Sequence, residues 1–183
     1  MCRQAADLGG LQVHISGGEP GARKELAQIV GHARDAGLYV NLITSGIGIT
    51  RDRLIELDRA GVDHVQLSLQ GIRPDMADRI SGHPGSWDKK MAFSDWVTEI
   101  GFPLTINAVV HRQNMDRLPD MVDLAERLGA RRIEVATVQF HGWADRNRGA
   151  LMPTREQAEF ARQVVNAARI RLRSLNAATA ERR

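Results

Sequence analysis

The chain has 183 residues, 43% of them hydrophobic and 26% charged, and carries a net charge of +3, which suits one globular domain with a real core. No apolar stretch approaches the roughly 18–20 residues that a membrane span needs, and the N-terminus, Met1-Cys2-Arg3-Gln4, lacks the apolar run of a signal peptide, so a cytoplasmic location is expected. The one cysteine, Cys2, excludes an internal disulfide framework and, within one copy, a cluster held by several thiolates.

In chain order, Leu11 to Ser16 reads as a strand, and residues 22–36 as a helix with Leu26, Ile29, Val30 and Ala33 at helical spacing and Gly37 as its stop. Tyr39 to Thr44 is the next strand. Thr50 caps a helix over 51–60 that Gly61 closes. Asp63 to Leu69 is a third strand, followed by a helical turn near 74–81 and a longer helix over 87–100 closed by Gly101. Leu104 to Val110 is a fourth strand, 117–128 a helix ended by Gly129, and Arg132 to Val138 a fifth strand. A long loop then carries Trp143 and Pro153 before Thr154 caps a last helix to about Leu172.

This alternation implies parallel strands joined by right-handed crossovers. Because the chain opens on the end of a helix, Arg3 to Asp7, the expected fold is α/β: an incomplete, TIM-like (β/α) barrel without its first strand. A doubly wound sheet is the alternative. Residues 1–173 read as the core domain and 174–183 as a basic, divergent tail. The arginines of the final stretch (Arg169, Arg171, Arg173, Arg182 and Arg183) have no interleaved aromatics. A solvated helix face therefore explains them better than a nucleic-acid contact.

In parallel α/β folds ligands sit at the C-terminal ends of strands. All five strand ends here are polar, and the most distinctive is Ser16-Gly17-Gly18-Glu19-Pro20. Paired glycines let a ligand approach the backbone. Their carbonyls and the Glu19 carboxylate are acceptors, and Pro20 fixes the turn. The loop suits a positively charged amine and repels a phosphate, and no Gly-Lys-Ser/Thr follows to make a P-loop. On composition alone a plain strand-to-helix turn explains it as well.

Gly-Gly-Glu-Pro at a barrel strand end resembles the motif by which radical SAM enzymes hold the amino group of S-adenosylmethionine. Further segments narrow the likeness: Asn41 to Gly46, His64 to Ser68, Val109 to Asn114, His141 to Ala144 with Asn147-Arg148, and Leu151 to Thr154. From about Arg3 to about Arg171 the chain is similar to the radical SAM peptide cyclases of pyrroloquinoline quinone (PQQ) biosynthesis.

That resemblance implies an enzyme joining a glutamate side-chain carbon to a tyrosine ring within the precursor peptide PqqA, presented by the chaperone PqqD. Its cofactors would be S-adenosylmethionine and a reduced 4Fe–4S cluster. By the same likeness Gly17, Gly18 and Glu19 would accept from the amino group, Ser68 would meet the carboxylate, and Arg79 could pair with it bidentately. Ser45 and Asn107 would meet the ribose or polar tail, and backbone near Val138 and Gln139 the adenine.

Other readings stay open. Ser45 shapes a turn with Gly46, Arg79 pairs with Asp75, and Asn107 or His14 is a satisfied core residue. His111, His141, Trp143, Arg146 and Arg148 either face a peptide or belong to a packed or solvated loop. Lys24, Lys89 and Lys90 all fall on predicted helices, which counts against a Schiff-base aldolase.

The chain departs from the family in two places. The three closely spaced cluster cysteines are absent, Cys2 falling in what resembles the following helix, and so is the C-terminal domain that binds auxiliary clusters. The expectation is a fragment that does not generate a radical by itself.

Overall fold

A computed structural model describes residues 1–180, with side chains through Leu172. The side chains of the tail assigned to 174–183, and all of its last three residues, lie outside the described residues. The elements are α1 (Cys2–Asp7), β1 (Gln12–Ile15), α2 (Leu26–Asp35), β2 (Tyr39–Thr44), α3 (Arg51–Ala60), β3 (His64–Ser68), α4 (Pro74–Ser81) and α5 (Ser86–Ile100). Then come β4 (Leu104–Val110), α6 (Leu118–Arg127), β5 (Arg132–Thr137), α7 (Trp143–Arg146), α8 (Arg148–Leu151) and α9 (Arg155–Ala180).

The five strands form one sheet in the order β1-β2-β3-β4-β5, every pair parallel. Each crossover steps to the next position in the same direction. This is the winding of a barrel, and it disposes of the doubly wound alternative, whose order must reverse. The sheet is open among the described residues.

Successive side chains alternate between its two faces. Val40 and Leu42 of β2, Val65 and Leu67 of β3, and Leu104 and Ile106 of β4 point to the helices. They bury against Leu26 and Val30 of α2, Leu54 and Leu57 of α3, and Phe93 and Val97 of α5. Each such side chain contributes about 1.5–3 kcal/mol on leaving water. A second cluster joins Ala108 and Val110 of β4 to Met115, Leu118, Met121 and Val122, with Ala161 of α9 packed on it.

Local chemistry places the boundaries. The Thr50 hydroxyl accepts from Arg53 N, and Gly61, at φ 108°, closes α3. Thr154 and Gln157 form a reciprocal capping box at the start of α9.

Three expectations shift. The last helix, expected to end at about Leu172, continues to Ala180. The helix expected over 22–36 begins at Leu26, because Pro20–Ala22 form a separate 3-10 turn, its N-terminus held by the Glu19 carboxylate, and Arg23 is extended. The loop expected after β5 contains two helical turns, α7 and α8. Arg148 bonds Asp145 across three residues, and the Asn147 side chain donates to Trp143 O.

Candidate functional site

The sheet face away from the helices is polar. Parallel register sets His14 beside Asn41, Ile43 beside Gln66, Ser68 beside Asn107 and Asn107 beside Glu134. A hydrogen-bonded row crosses this face. Gln66 Nε2 donates to Glu134 Oε2 at 3.0 Å, and Asn41 Nδ2 donates to Gln66 Oε1 at 3.4 Å and to His14 Nδ1 at 3.2 Å. Glu134, an acceptor, orients Gln66, and Gln66 in turn orients Asn41. Asn41 Oδ1 is buried with no partner among the described residues. His64 sits lower on the same face beside the Thr105 hydroxyl, 2.9 Å away, and its pKa is lowered, first by burial and then by Arg132, His14 and Arg131.

The polar floor leads up to the Gly17-Gly18-Glu19 loop. Glu19 is held by four donors: Gly21 N at 2.9 Å and the Thr44 hydroxyl on Oε1, and Ser45 N at 2.8 Å and the Ser45 hydroxyl on Oε2. A carboxylate has about four lone-pair positions, so this one is filled by its own protein. It staples the exit of β1 to the exit of β2. Pro20 is buried at the first position of the 3-10 turn. Gly17 has φ +132°, where side chains are strained, and a Cβ at Gly17 or Gly18 would meet open space. The carbonyls of both glycines accept no hydrogen bond from the described residues. They are the free acceptors of the loop, and the cradle fits a ligand ammonium.

The other predicted residues divide. Ser45 is committed to Glu19 and to Ile47 N. Ser68 and Asn107 lie side by side on the polar face at the C-terminal ends of β3 and β4, their side chains without a partner among the described residues. Arg79 is exposed on α4 and makes no ion pair among the described residues, because Asp75 pairs with Arg73 at 3.3 Å. With Arg73 and Arg117 it lines a cleft of about 680 Å3.

His111 is buried, and its Nδ1 accepts from Gln113 N. Burial, then the charge of Arg79, lowers its pKa. Asn114 is a clasp: its oxygen accepts from His111 N and its amide donates to Gln70 O and Val109 O, tying the ends of β3 and β4 together. Beyond β5, Arg146 stacks on the exposed Trp143 at 4.9 Å and Arg148 on Phe140 at 4.5 Å.

Sequence reasoning missed Lys90. It is 3% exposed, and its Nζ donates to Ser68 O at 2.6 Å. The buried residues of α5 are Ser86, Lys90, Phe93, Ser94 and Val97, so helical spacing alone would have placed Lys90, and not Lys89, against the sheet. Asp78 was missed as well. Gly85 N, the Ser86 hydroxyl and Trp87 N donate to its carboxylate, which caps α5 and has its pKa lowered, chiefly by the Gly85 bond. Among the described residues no three His, Cys, Asp or Glu side chains gather as a metal site, and no helix is long and apolar enough to cross a membrane.

The fold is that of solved radical SAM enzymes. Streptococcus suis SuiB bound to S-adenosylmethionine superposes with a TM-score of 0.69 at 22% identity, over 90% of this chain and 37% of that one. Coproporphyrinogen III oxidase (HemN) of Escherichia coli, a radical SAM enzyme, gives a TM-score of 0.72 at 16% identity, over 93% of this chain and 43% of that one. In sequence the chain is 57% identical over 166 residues to the PqqA peptide cyclase of Rhizobium meliloti, a match over 91% of this chain and 44% of that protein. It thus spans less than half the length of the curated relative. The pattern of the Radical SAM superfamily matches residues 1–125. With that match over most of its length, on a barrel-type parallel sheet whose first strand ends in a glycine cradle, the chain belongs to the radical SAM superfamily.

Proposed function

We propose that this chain is the S-adenosylmethionine-binding part of a radical SAM enzyme that cross-links the PqqA precursor peptide, joining a glutamate side-chain carbon to a tyrosine ring. One observation carries the reading. At the C-terminal edge of a parallel sheet, a carboxylate fixed by four donors stands beside two glycine carbonyls that accept no hydrogen bond from the described residues. The identity to a PqqA peptide cyclase supports the substrate class, and the family resemblance implies PqqD as the presenting partner.

In this reading the Gly17 and Gly18 carbonyls receive the ligand's ammonium, with the charge of Glu19 beneath it. The Ser68 hydroxyl and the Arg79 guanidinium meet its carboxylate. Asn107 meets the ribose or polar tail, Ser45 acts through Glu19, and Pro20 keeps the loop in shape.

Bound S-adenosylmethionine, given an electron, supplies the radical chemistry that removes hydrogen from an unactivated C–H bond. The residues present do not suit a 4Fe–4S cluster: the one thiol, Cys2, is half-buried on α1 and packs against the apolar core. The chain alone therefore binds without cleaving.

NMR titration of the 15N-labelled chain with S-adenosylmethionine tests this. The Gly17 and Gly18 amides and the Asn107 side-chain amide are expected to shift. Gly17→Val, which cannot hold the native φ without strain, is expected to weaken binding about tenfold or more. Unmoved resonances at Gly17, Gly18 and Asn107 up to millimolar ligand would overturn the reading.

A further inference from the structure

Buried lysines are rare because an ammonium loses much of its hydration on leaving water. Lys90 lies on the helix-packed face of the sheet, in the stripe of Phe93 and Val97. Its stem runs through the apolar layer to the C-terminal end of β3. An ammonium carries three donors. The bond to Ser68 O is the one hydrogen bond this group makes among the described residues. A buried cation with two donors unspent is a costly arrangement unless a further acceptor arrives. Burial pulls its pKa below the ordinary lysine value, and the charge of Glu19 acts in the opposite direction. The ammonium therefore feels the carboxylate at the exit of β1 while it bonds the carbonyl at the exit of β3.

We propose that Lys90 supports the carboxylate side of the amino-acid subsite whose ammonium side is Glu19, holding Ser68 in place and adding a buried positive charge behind it to that of Arg79. The proposal rests on the S-adenosylmethionine reading and adds a residue to it. An α-amino acid terminus presents an ammonium and a carboxylate a few bonds apart, and a site for it needs both charges. Glu19 and the glycine carbonyls provide one side. On the other, the Ser68 hydroxyl has no partner among the described residues, and Asn107 lies beside it. Lys90 fixes the Ser68 backbone from beneath and places a charge there that solvent screens little. It is a positioning residue, acting through Ser68.

The test compares two ligands that share a nucleoside and differ in the amino-acid part: S-adenosylmethionine, and 5′-methylthioadenosine, which has none. Lys90→Met is expected to lower affinity for the first about tenfold or more and to leave the second unchanged. Lys90→Gln, which keeps a donor for Ser68 O and loses the charge, is expected to behave the same way. Equal affinity of variant and parent for S-adenosylmethionine would overturn the proposal, as would equal losses for both ligands, the mark of a merely structural role.

If neither variant folds, the parent chain still decides. It has three lysines, Lys24, Lys89 and Lys90, so 15Nζ labelling resolves the Lys90 signal. That signal should move with S-adenosylmethionine and not with 5′-methylthioadenosine. A Lys90 signal indifferent to the amino-acid part, in a chain that binds S-adenosylmethionine, overturns the inference alone. A chain that binds neither nucleoside overturns the cofactor reading and this inference with it.

Discussion

The two faces of the one sheet are built to opposite rules. On the helix face Leu42, Leu67, Leu104 and Ile106 are fully or almost fully buried in a continuous apolar layer. On the other face the sheet carries His14, Asn41, Gln66, Ser68, Asn107 and Glu134, of which four are linked in a row and two have side chains without a partner among the described residues. The first arrangement removes apolar surface from water and needs nothing further. The second holds polar groups in register with part of their bonding capacity unspent, which suits a surface that receives a ligand. Apolar burial and unspent hydrogen-bonding capacity are thus separated by the period-2 alternation of the strands.

The largest expected effect lies on the helix face. Phe93 is fully buried, and its ring packs against Gly46 so closely that a Cβ there would come within 2.9 Å of Cδ1. Phe93→Ala should lower unfolding free energy by about 3–5 kcal/mol in urea titrations. A loss under about 1 kcal/mol would mean that this layer does not hold the sheet.

A smaller effect should come with pH. His64 and His111 both have lowered pKa values, burial being the larger cause in each. The unfolded chain takes up protons near 6.5, where the folded chain still resists them. The stability due to these groups is therefore complete above that value and is lost as pH falls through the lower folded pKa values. Urea midpoints at about pH 7.5 and about pH 5 should fall in that order, and His111→Gln should reduce the difference. An unchanged slope in that variant would remove His111 from the account.

The smallest effect is expected on the polar face. Asn107→Ala should change stability by no more than about 0.5 kcal/mol, since the side chain bonds nothing among the described residues, while weakening the nucleoside shifts seen by NMR. A large loss of stability with intact binding would reverse the division between the faces.

Much of this was legible in the sequence, for local reasons. Strand positions followed from short β-branched runs, and α3 from Thr50 and Gly61 at its ends, because caps and left-handed glycines are decided by adjacent residues. The start of α2 was not legible. It depends on Glu19 turning back to Gly21 N while its other oxygen engages Ser45, a contact 26 residues away. The exchange of Asp75 from Arg79 to Arg73 was hidden for a similar reason: charge spacing on a helix admits several pairs, and geometry picks one.

By itself the sequence determined the α/β alternation, the five polar strand ends and the Gly-Gly-Glu-Pro loop, since periodicity and turn chemistry are written in neighbouring residues. Tertiary structure alone decided the barrel-type strand order, the filling of Glu19 by Thr44 and Ser45, the placing of Ser68 beside Asn107, and the burial of Lys90 under Ser68. Each depends on which distant segments meet, and that is fixed by packing of the whole apolar layer rather than by any local preference.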